Sequence, residues 1–150
     1  MNLIAPLISQ QSILADQAFP SKKKLFEHAA QAFETLAGLK RQEVFDSLFE
    51  RERLGSTALG FGVAIPHGRI KSLKEARGAF YRLKPGLQFD APDNQPVSLC
   101  FILLVPQDAN ERHLQILGEL AQLFGDATMR ERLMATPPNE VYPLLSAWTP

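Results

Sequence analysis

The chain is organised around the stretch Gly55-Ser56-Thr57-Ala58-Leu59-Gly60-Phe61-Gly62-Val63-Ala64-Ile65-Pro66-His67-Gly68-Arg69, which places a histidine between a proline and a glycine. The apolar run before Pro66 predicts a short strand. Because proline has no backbone N–H, we expect the strand to end there. Gly68 is expected to let the backbone bend just past the imidazole. The stretch therefore predicts that His67 lies at the carboxyl end of a strand, where open α/β sheets bind their ligands.

Groups that suit phosphate chemistry lie shortly upstream of this histidine. They are the hydroxyls of Ser56 and Thr57 and the guanidinium of Arg51. A nucleophilic nitrogen with hydroxyl and guanidinium donors fits a phosphoryl group. A structural histidine in a turn is the alternative, and these residues alone leave both interpretations open.

Length and composition indicate a soluble globular protein. The 150 residues are 45% hydrophobic and 21% charged, which predicts a single domain, 1–150, with one sizeable core. Sixteen basic and sixteen acidic side chains balance, so no charge excess favours nucleic acid or an anionic membrane. The single cysteine, Cys100, lies in an apolar run and is predicted to be a buried hydrophobic residue. Without an internal disulfide, the chain fits a reducing compartment.

Two further observations predict a cytoplasmic location. No Lys or Arg precedes Lys22, so the amino-terminal segment lacks the positive region of a secretory signal. The strongest apolar run, residues 97–105, is too short to cross a bilayer as a helix.

The order of predicted elements indicates an α/β domain. Helical spacing of apolar residues and end signals predict helices over 21–37, 41–54, 110–124, 127–134 and 139–147. Strands are predicted at 79–83 and 97–105, with a turn at Pro85-Gly86 between them. Leu114 and Leu117 are expected to face inward from the helix over 110–124. Helices interleaved with strands predict a layered α/β architecture.

A second histidine, His113, falls in the first turns of the helix that follows the strand at 97–105. Helix amino termini after strand ends often line the same cleft, so His113 could approach His67. The alternative is an exposed histidine at a helix start.

Several other chemistries find no support in the sequence. Ile65 stands where a dinucleotide loop after Gly60 and Gly62 would need its third glycine, and there is no ATP-binding Gly-x-x-x-x-Gly-Lys-Ser/Thr loop. The histidines and cysteine lack metal-type spacing, and Ser56 lies on no Gly-x-Ser-x-Gly elbow. We therefore expect no cofactor and no metal, and a phosphoryl group on His67 would come from another protein.

These residues resemble a known family. Arg51-Glu52-Arg53-Leu54-Gly55-Ser56-Thr57 and Gly60-x-Gly62-Val63-Ala64-Ile65-Pro66-His67-Gly68 resemble the phosphorylation-site segment of mannitol/fructose-type IIA proteins, the EIIA type-2 domains of the bacterial phosphoenolpyruvate-dependent phosphotransferase system. Segments 89–97, 103–106 and 113–117 are similar too. The Gly55-Ser56-Thr57 triplet and the free-standing length are most similar to the nitrogen-regulatory branch, IIA-Ntr.

The resemblance implies a mixed β-sheet with helices on both faces. It implies that His67 is phosphorylated on Nε2 and that Arg51 helps to neutralise the phosphate. Ser56 and Thr57 would be nearby donors, and His113 would be the second active-site histidine. Ala58 and Phe61 replace the branch's usual Gly and Asn, and both are expected to line the approach to His67.

The implied function is that of a phosphocarrier rather than an enzyme acting on a small molecule. It would accept phosphate from an HPr-like protein, NPr, and act on partners such as potassium transporters or sensor kinases according to its phosphorylation state. One alternative is a sugar-specific IIA component that passes phosphate to a IIB domain. Another is a binding module whose histidine is never phosphorylated.

Overall fold

The computed structural model describes residues 2–150. They form a six-stranded mixed sheet with helices on both faces, which confirms the predicted fold class. Two short 3-10 turns, Ala5–Leu7 and Gln10–Ser12, precede the first strand. The strands are β1 (Ile13–Gln17), β2 (Ala58–Gly60), β3 (Val63–Ala64), β4 (His67–Ile70), β5 (Arg77–Leu87) and β6 (Val97–Pro106). The helices are α1 (Lys22–Ala37), α2 (Arg41–Arg53), α3 (Glu111–Gly125), α4 (Ala127–Ala135) and α5 (Pro138–Ala147).

Strand β6 is the centre of the sheet. The strand order is β1-β5-β6-β3-β2, and β4 also pairs with β6, beyond the end of β3. Strand β6 runs antiparallel to β5 and parallel to β3 and β4. Its continuous apolar sequence fits a strand covered on both faces, and Cys100 within it is fully buried, as predicted. Burial raises the pKa of the Cys100 thiol, and the nearby Glu52 carboxylate raises it further.

Helices α1 and α2 form an antiparallel pair on one face. The Ser21 hydroxyl accepts a hydrogen bond from the Lys24 N–H and caps α1, while Gly38 ends it in the left-handed conformation at φ 69°. Val44 and Leu48 are buried against the sheet. The start of α1 at its Ser21 cap and its end at Gly38 both follow directly from the sequence.

The other face is covered by α3, α4, α5 and the amino-terminal segment. The Asn2 amide joins the two ends of the chain, since it donates to the Leu145 carbonyl and accepts from the N–H groups of Ile4 and Ala5. Within residues 2–150, no helix is both long enough and apolar enough to span a membrane.

Two expectations about the elements were wrong, and three strands were missed. Strand β5 does not turn at Pro85-Gly86 but continues to Leu87, with a register shift against β6 after Arg82. Strands β1, β2 and β4 were not predicted. Leu114 is 68% exposed, because Ile116 takes the inward position on α3 that the prediction gave to Leu114.

Candidate functional site

His67 begins β4 and does not end a strand, so the predicted placement was wrong. Strand β3 stops at Ala64, before Pro66, but the chain returns to β6 at His67 in the same register. The Pro66 carbonyl accepts a hydrogen bond from the Leu103 N–H at 2.9 Å and keeps the alignment. Proline therefore removes a donor from the ladder and interrupts the strand without ending it.

Gly68 has a different role from the predicted bend. It lies within β4, and a Cβ at this position would sit 2.3 Å from Ser47 Oγ and 3.1 Å from Ser47 Cβ. Glycine is needed here because α2 approaches the strand closely. The Ser47 hydroxyl also donates to the Arg69 carbonyl at 2.8 Å, so α2 is held along β4.

An open cleft of about 1150 Å³ lies beside β4, between α2 and the start of α3. It brings together His67, Arg51 and His113. Apart from these three residues, its lining consists of Glu43, Asp46, Ser47, Glu50, Leu54, Gly68, Arg69, Lys71, Leu103, Val105, Gln107, Ala109, Asn110, Glu111, Leu114 and Leu117.

The His67 ring is fixed by its own strand connection. Its Nδ1 lies 3.0 Å from the Ile65 carbonyl oxygen. A carbonyl can only accept, so Nδ1 carries the proton in the neutral ring. The lone pair is then on Nε2, and the ring is half-buried with that nitrogen available as a nucleophile or acceptor.

The His113 ring has the opposite arrangement. Its Nδ1 accepts a hydrogen bond from the Asn110 N–H at 3.0 Å as part of the capping box of α3. The neutral ring must therefore carry its proton on Nε2. One histidine thus has a free Nε2 lone pair and the other a free Nε2–H donor, and both line the same cleft.

Arg51 lies in the last turn of α2. One terminal nitrogen, Nη1, donates to the Gly55 carbonyl at 2.9 Å. This bond uses one of the five guanidinium N–H groups and holds the planar group at the helix end. The remaining donors are suited to a phosphate or carboxylate.

Ser56 and Thr57 do not line the cleft. The Ser56 hydroxyl donates to the Phe89 carbonyl at 2.5 Å, and the Thr57 hydroxyl donates to Glu52 at 2.6 Å. Both hydroxyls thus bind protein groups on the far side of the loop. Their predicted role as phosphate donors stays a prediction, and this arrangement of the loop does not favour it.

The rim of the cleft carries mixed charge and exposed apolar groups. The lining carries four acidic side chains and three basic ones, Glu43, Asp46, Glu50 and Glu111 with Arg51, Arg69 and Lys71. Two leucines on the rim are largely exposed, Leu54 at 86% and Leu114 at 68%. A nearly neutral rim with exposed leucines is a surface that a protein partner can cover.

Ala58 and Phe61 do not line the approach to His67, contrary to expectation. Ala58 is buried in β2, and Phe61 lies in the β2–β3 turn at φ 57°. The exposed Phe61 ring packs against Arg130, whose Cζ is 4.7 Å from the ring centroid. This turn borders a separate groove against α4.

Two features of the site were missed by sequence reasoning. The orienting carbonyl of Ile65 leaves no trace in the sequence, since any residue supplies one. Glu52 did leave a signal, because it continues the buried helical series of Val44 and Leu48 at a spacing of four. A carboxylate at an inward position needs partners, and that requirement could have identified it. Within residues 2–150, no group of three or more His, Cys, Asp or Glu side chains is placed to hold a metal ion.

Comparison with known proteins identifies the family to which this chain is similar. Residues 6–148 match the family described as the phosphoenolpyruvate-dependent sugar phosphotransferase system, EIIA 2. A nitrogen regulatory protein of Bradyrhizobium diazoefficiens is 38% identical over 133 residues, which cover 89% of this chain and 87% of that protein. A fructose-specific EIIA component of Haloferax volcanii is 39% identical over 94 residues, covering 63% of this chain and 61% of that protein.

A solved structure supports the same assignment. The crystal structure of nitrogen regulatory protein IIA-Ntr from Neisseria meningitidis is 47% identical and superposes with a TM-score of 0.90, covering 96% of this chain and 99% of that one. The resemblance to the nitrogen-regulatory branch is thereby confirmed. The chain belongs to the EIIA type-2 family of the phosphoenolpyruvate-dependent phosphotransferase system.

Proposed function

We propose that this protein is a phosphocarrier that accepts a phosphoryl group on Nε2 of His67 from an HPr-like protein, NPr. The observation that carries the proposal is the bond between His67 Nδ1 and the Ile65 carbonyl. It leaves the Nε2 lone pair free in a cleft that also holds Arg51 and His113. Acceptance from a phosphorylated protein needs an open cleft, and His67 lies in an open cleft of about 1150 Å³.

The transfer step requires no cofactor from this chain. The Nε2 lone pair of His67 attacks phosphorus, and the bond between phosphorus and the donor's histidine nitrogen breaks. The donor imidazole leaves with the electron pair of that bond. The His67 ring keeps its proton on Nδ1 and gains positive character, which the Ile65 carbonyl stabilises through the existing hydrogen bond.

Arg51 and His113 would stabilise the charge on the transferred group. Phosphoryl transfer is catalysed mainly by positioning and by charge stabilisation, so donors around the phosphoryl oxygens matter most. Arg51 supplies a fork of charged donors, and His113 supplies a neutral Nε2–H. Neither residue forms the covalent bond.

The phosphorylation state would act as a signal to regulatory partners, such as potassium transporters or sensor kinases. The cleft rim is nearly neutral, and a phosphoryl group adds a charge of about −1.5 to −2 near pH 7. A partner that contacts the rim therefore meets a different surface in each state. The nitrogen-regulatory names of the Bradyrhizobium and Neisseria relatives support this regulatory role.

A second candidate is a sugar-specific IIA component that passes its phosphate to a IIB domain. The similarity to the fructose-specific EIIA component of Haloferax volcanii favours it, although that match covers a smaller part of the chain. The two candidates share the chemistry at His67 and differ in the partner that receives the phosphoryl group or responds to it.

Labelling of His67 tests the proposal. The protein is incubated with phosphoenolpyruvate, the first enzyme of the pathway and NPr, and its intact mass is measured. We expect an acid-labile gain of one phosphoryl group in the wild type and in His28→Gln, and none in His67→Ala. Undiminished labelling of His67→Ala would refute the assignment, and an unlabelled wild type would favour a binding module instead.

A chase separates the two candidates. The labelled protein is mixed with purified fructose-type and mannitol-type IIB domains. Retention of the phosphate is expected for the regulatory role. Complete transfer to a IIB domain within seconds would support the sugar-transport role.

A further inference from the structure

Glu52 is a buried carboxylate directly next to Arg51 on α2. Only 5% of its side chain is exposed, and it does not line the cleft. Successive residues on a helix point about 100° apart, so Arg51 faces the cleft while Glu52 faces the α1 side of the sheet. A buried carboxylate without a cleft contact must act through what it binds.

The carboxylate holds the loop that follows α2. Its Oε1 accepts the Thr57 hydroxyl at 2.6 Å, and both oxygens lie 3.2 Å from the Thr57 backbone N–H. The opposite side of the carboxylate pairs with Lys22, whose Nζ is 3.2 Å from Oε2. Both carboxylate oxygens of Glu52 thus accept hydrogen bonds. The ion pair also joins Lys22, the first residue of α1, to the end of α2.

Lys22 extends the same network to a third segment. Its Nζ lies 3.4 Å from the Phe89 carbonyl and 5.4 Å from the centroid of the Phe89 ring. The Ser56 hydroxyl donates to that same carbonyl at 2.5 Å. Residues 55–57 are therefore fixed from both sides, by Glu52 and by the segment that holds Phe89.

This loop in turn holds Arg51. The Gly55 N–H donates to the Glu52 carbonyl at 3.2 Å, and the Gly55 carbonyl accepts from Arg51 Nη1 at 2.9 Å. The Glu52 carboxylate thus holds Thr57, the backbone of residues 55–57 connects Thr57 to Gly55, and the Gly55 carbonyl holds the guanidinium. Any movement of the loop moves the Gly55 carbonyl, which orients Arg51.

We propose that Glu52, neutralised by Lys22, is a positioning residue that sets the guanidinium of Arg51 for phosphoryl transfer at His67. The inference rests on the proposed function of His67 and adds to it a residue outside the cleft. Misplacing a catalytic group by about 1 Å can slow a reaction about a hundredfold, so the effect is measurable.

The test compares phosphoryl-transfer rates from NPr in Glu52→Gln and in a matched variant, Glu34→Gln. The Glu34–Arg41 pair also joins α1 to α2, at 2.6 Å, but at the other end of the helix pair and on the surface. We expect Glu52→Gln to slow transfer about tenfold at a temperature well below its unfolding midpoint. Glu34→Gln should transfer at the wild-type rate.

A double-mutant cycle distinguishes positioning from a general structural role. If Glu52 acts through Arg51, Glu52→Gln should have little further effect in an Arg51→Ala background. Independent, multiplicative losses would overturn the inference, as would a wild-type rate in Glu52→Gln.

A second pair of variants keeps the inference testable if Glu52→Gln does not fold. Thr57→Ser retains the hydroxyl bonded to Glu52 and Thr57→Val loses it, so Thr57→Val should transfer more slowly than Thr57→Ser. Equal rates in both would refute the network. A wild-type protein that takes no phosphate would instead refute the function at His67, so the two failures are distinguishable.

Discussion

Replacement of Gly68 by alanine tests the packing that builds the cleft. The new Cβ would meet Ser47 Oγ at 2.3 Å, Ser47 Cβ at 3.1 Å and the Ser47 carbonyl carbon at 3.2 Å. The hydroxyl can rotate away, but it then loses its bond to the Arg69 carbonyl. The Ser47 carbonyl carbon is part of the α2 backbone, and the Ser47 Cβ is attached directly to that backbone. Neither atom can rotate away, so α2 itself must move by a few tenths of an ångström.

The size of the effect comes from two opposing terms. Alanine in a strand interior is favoured over glycine by roughly 0.5–1 kcal/mol. Overpacking a well-filled contact costs about 1–3 kcal/mol, so the steric term wins. We expect a net loss of about 1–2 kcal/mol, which for a chain of this length lowers the unfolding midpoint by about 2–8 °C.

The displacement should also reach the site. Ser47 and Arg51 are four residues apart on α2 and share one helix face. A shift of a few tenths of an ångström is smaller than the 1 Å displacement that costs about a hundredfold, so we expect phosphoryl transfer to slow by about threefold to tenfold.

Thermal unfolding and transfer rates measured on the same samples check both parts. Gly118→Ala is the matched control, because a Cβ there meets nothing within 4 Å and alanine should stabilise α3. Adding Ser47→Ala to Gly68→Ala removes the shortest contact and should recover part of the loss. An unfolding midpoint for Gly68→Ala at or above that of the wild type would refute the close-packing argument.

Three further predictions concern titratable and charged side chains. Arg51→Lys and Arg51→Ala should both slow phosphoryl transfer, by about tenfold to hundredfold if a bond of about 1.5–3 kcal/mol is lost in the transition state. Wild-type rates in both variants would exclude a role of Arg51 in stabilising the phosphoryl group. His113→Ala should still be phosphorylated on His67, by intact mass, but with a similarly reduced rate, and unchanged kinetics would leave His113 a surface residue. Burial lowers the pKa of His28, which is hydrogen-bonded to Tyr81, so the unfolded state binds its proton first. Urea unfolding should therefore show stability falling as pH drops below about 6.5, and an unchanged pH dependence in His28→Gln would contradict this.

The helices and the central strand could be predicted because their signals are local. Ser21, Gly38 and Asn110 mark helix ends through contacts within four residues. Strand β6 is recognisable because nearly every residue in it is apolar. Periodicity and end signals therefore suffice where the stabilising contacts lie close in sequence.

The remaining strands depend on distant partners. Strand β1 forms by parallel pairing with β5, more than sixty residues along the chain, and β2 is only three residues long. Strand β5 passes through Pro85-Gly86 because its pairing with β6 shifts register there and resumes at Leu87. Turn-forming residues are a local signal, and here the pairing partner outweighed them.

The site shows the same division. The sequence predicted His67, Arg51 and His113 as candidates, and the structure places all three in one cleft. It could not show that the hydroxyls of Ser56 and Thr57 bind the opposite side of the loop, because their acceptors are set by tertiary contacts. Gly68 was noticed, but only the position of Ser47 reveals that it serves close packing.

Different contacts determine how each cleft side chain is oriented and whether the three side chains lie close together. His67, His113 and Arg51 are each oriented by a backbone group no more than four residues away, on Ile65, Asn110 and Gly55. Their convergence depends on the long-range packing of α2 along β4 and of α3 on the opposite face of the sheet. Substitutions that leave the local backbone intact should therefore preserve each ring or guanidinium orientation. Changes that move α2 should lower the transfer rate while every orienting hydrogen bond remains, so the rate is a more sensitive measure of helix position than the hydrogen bonds are.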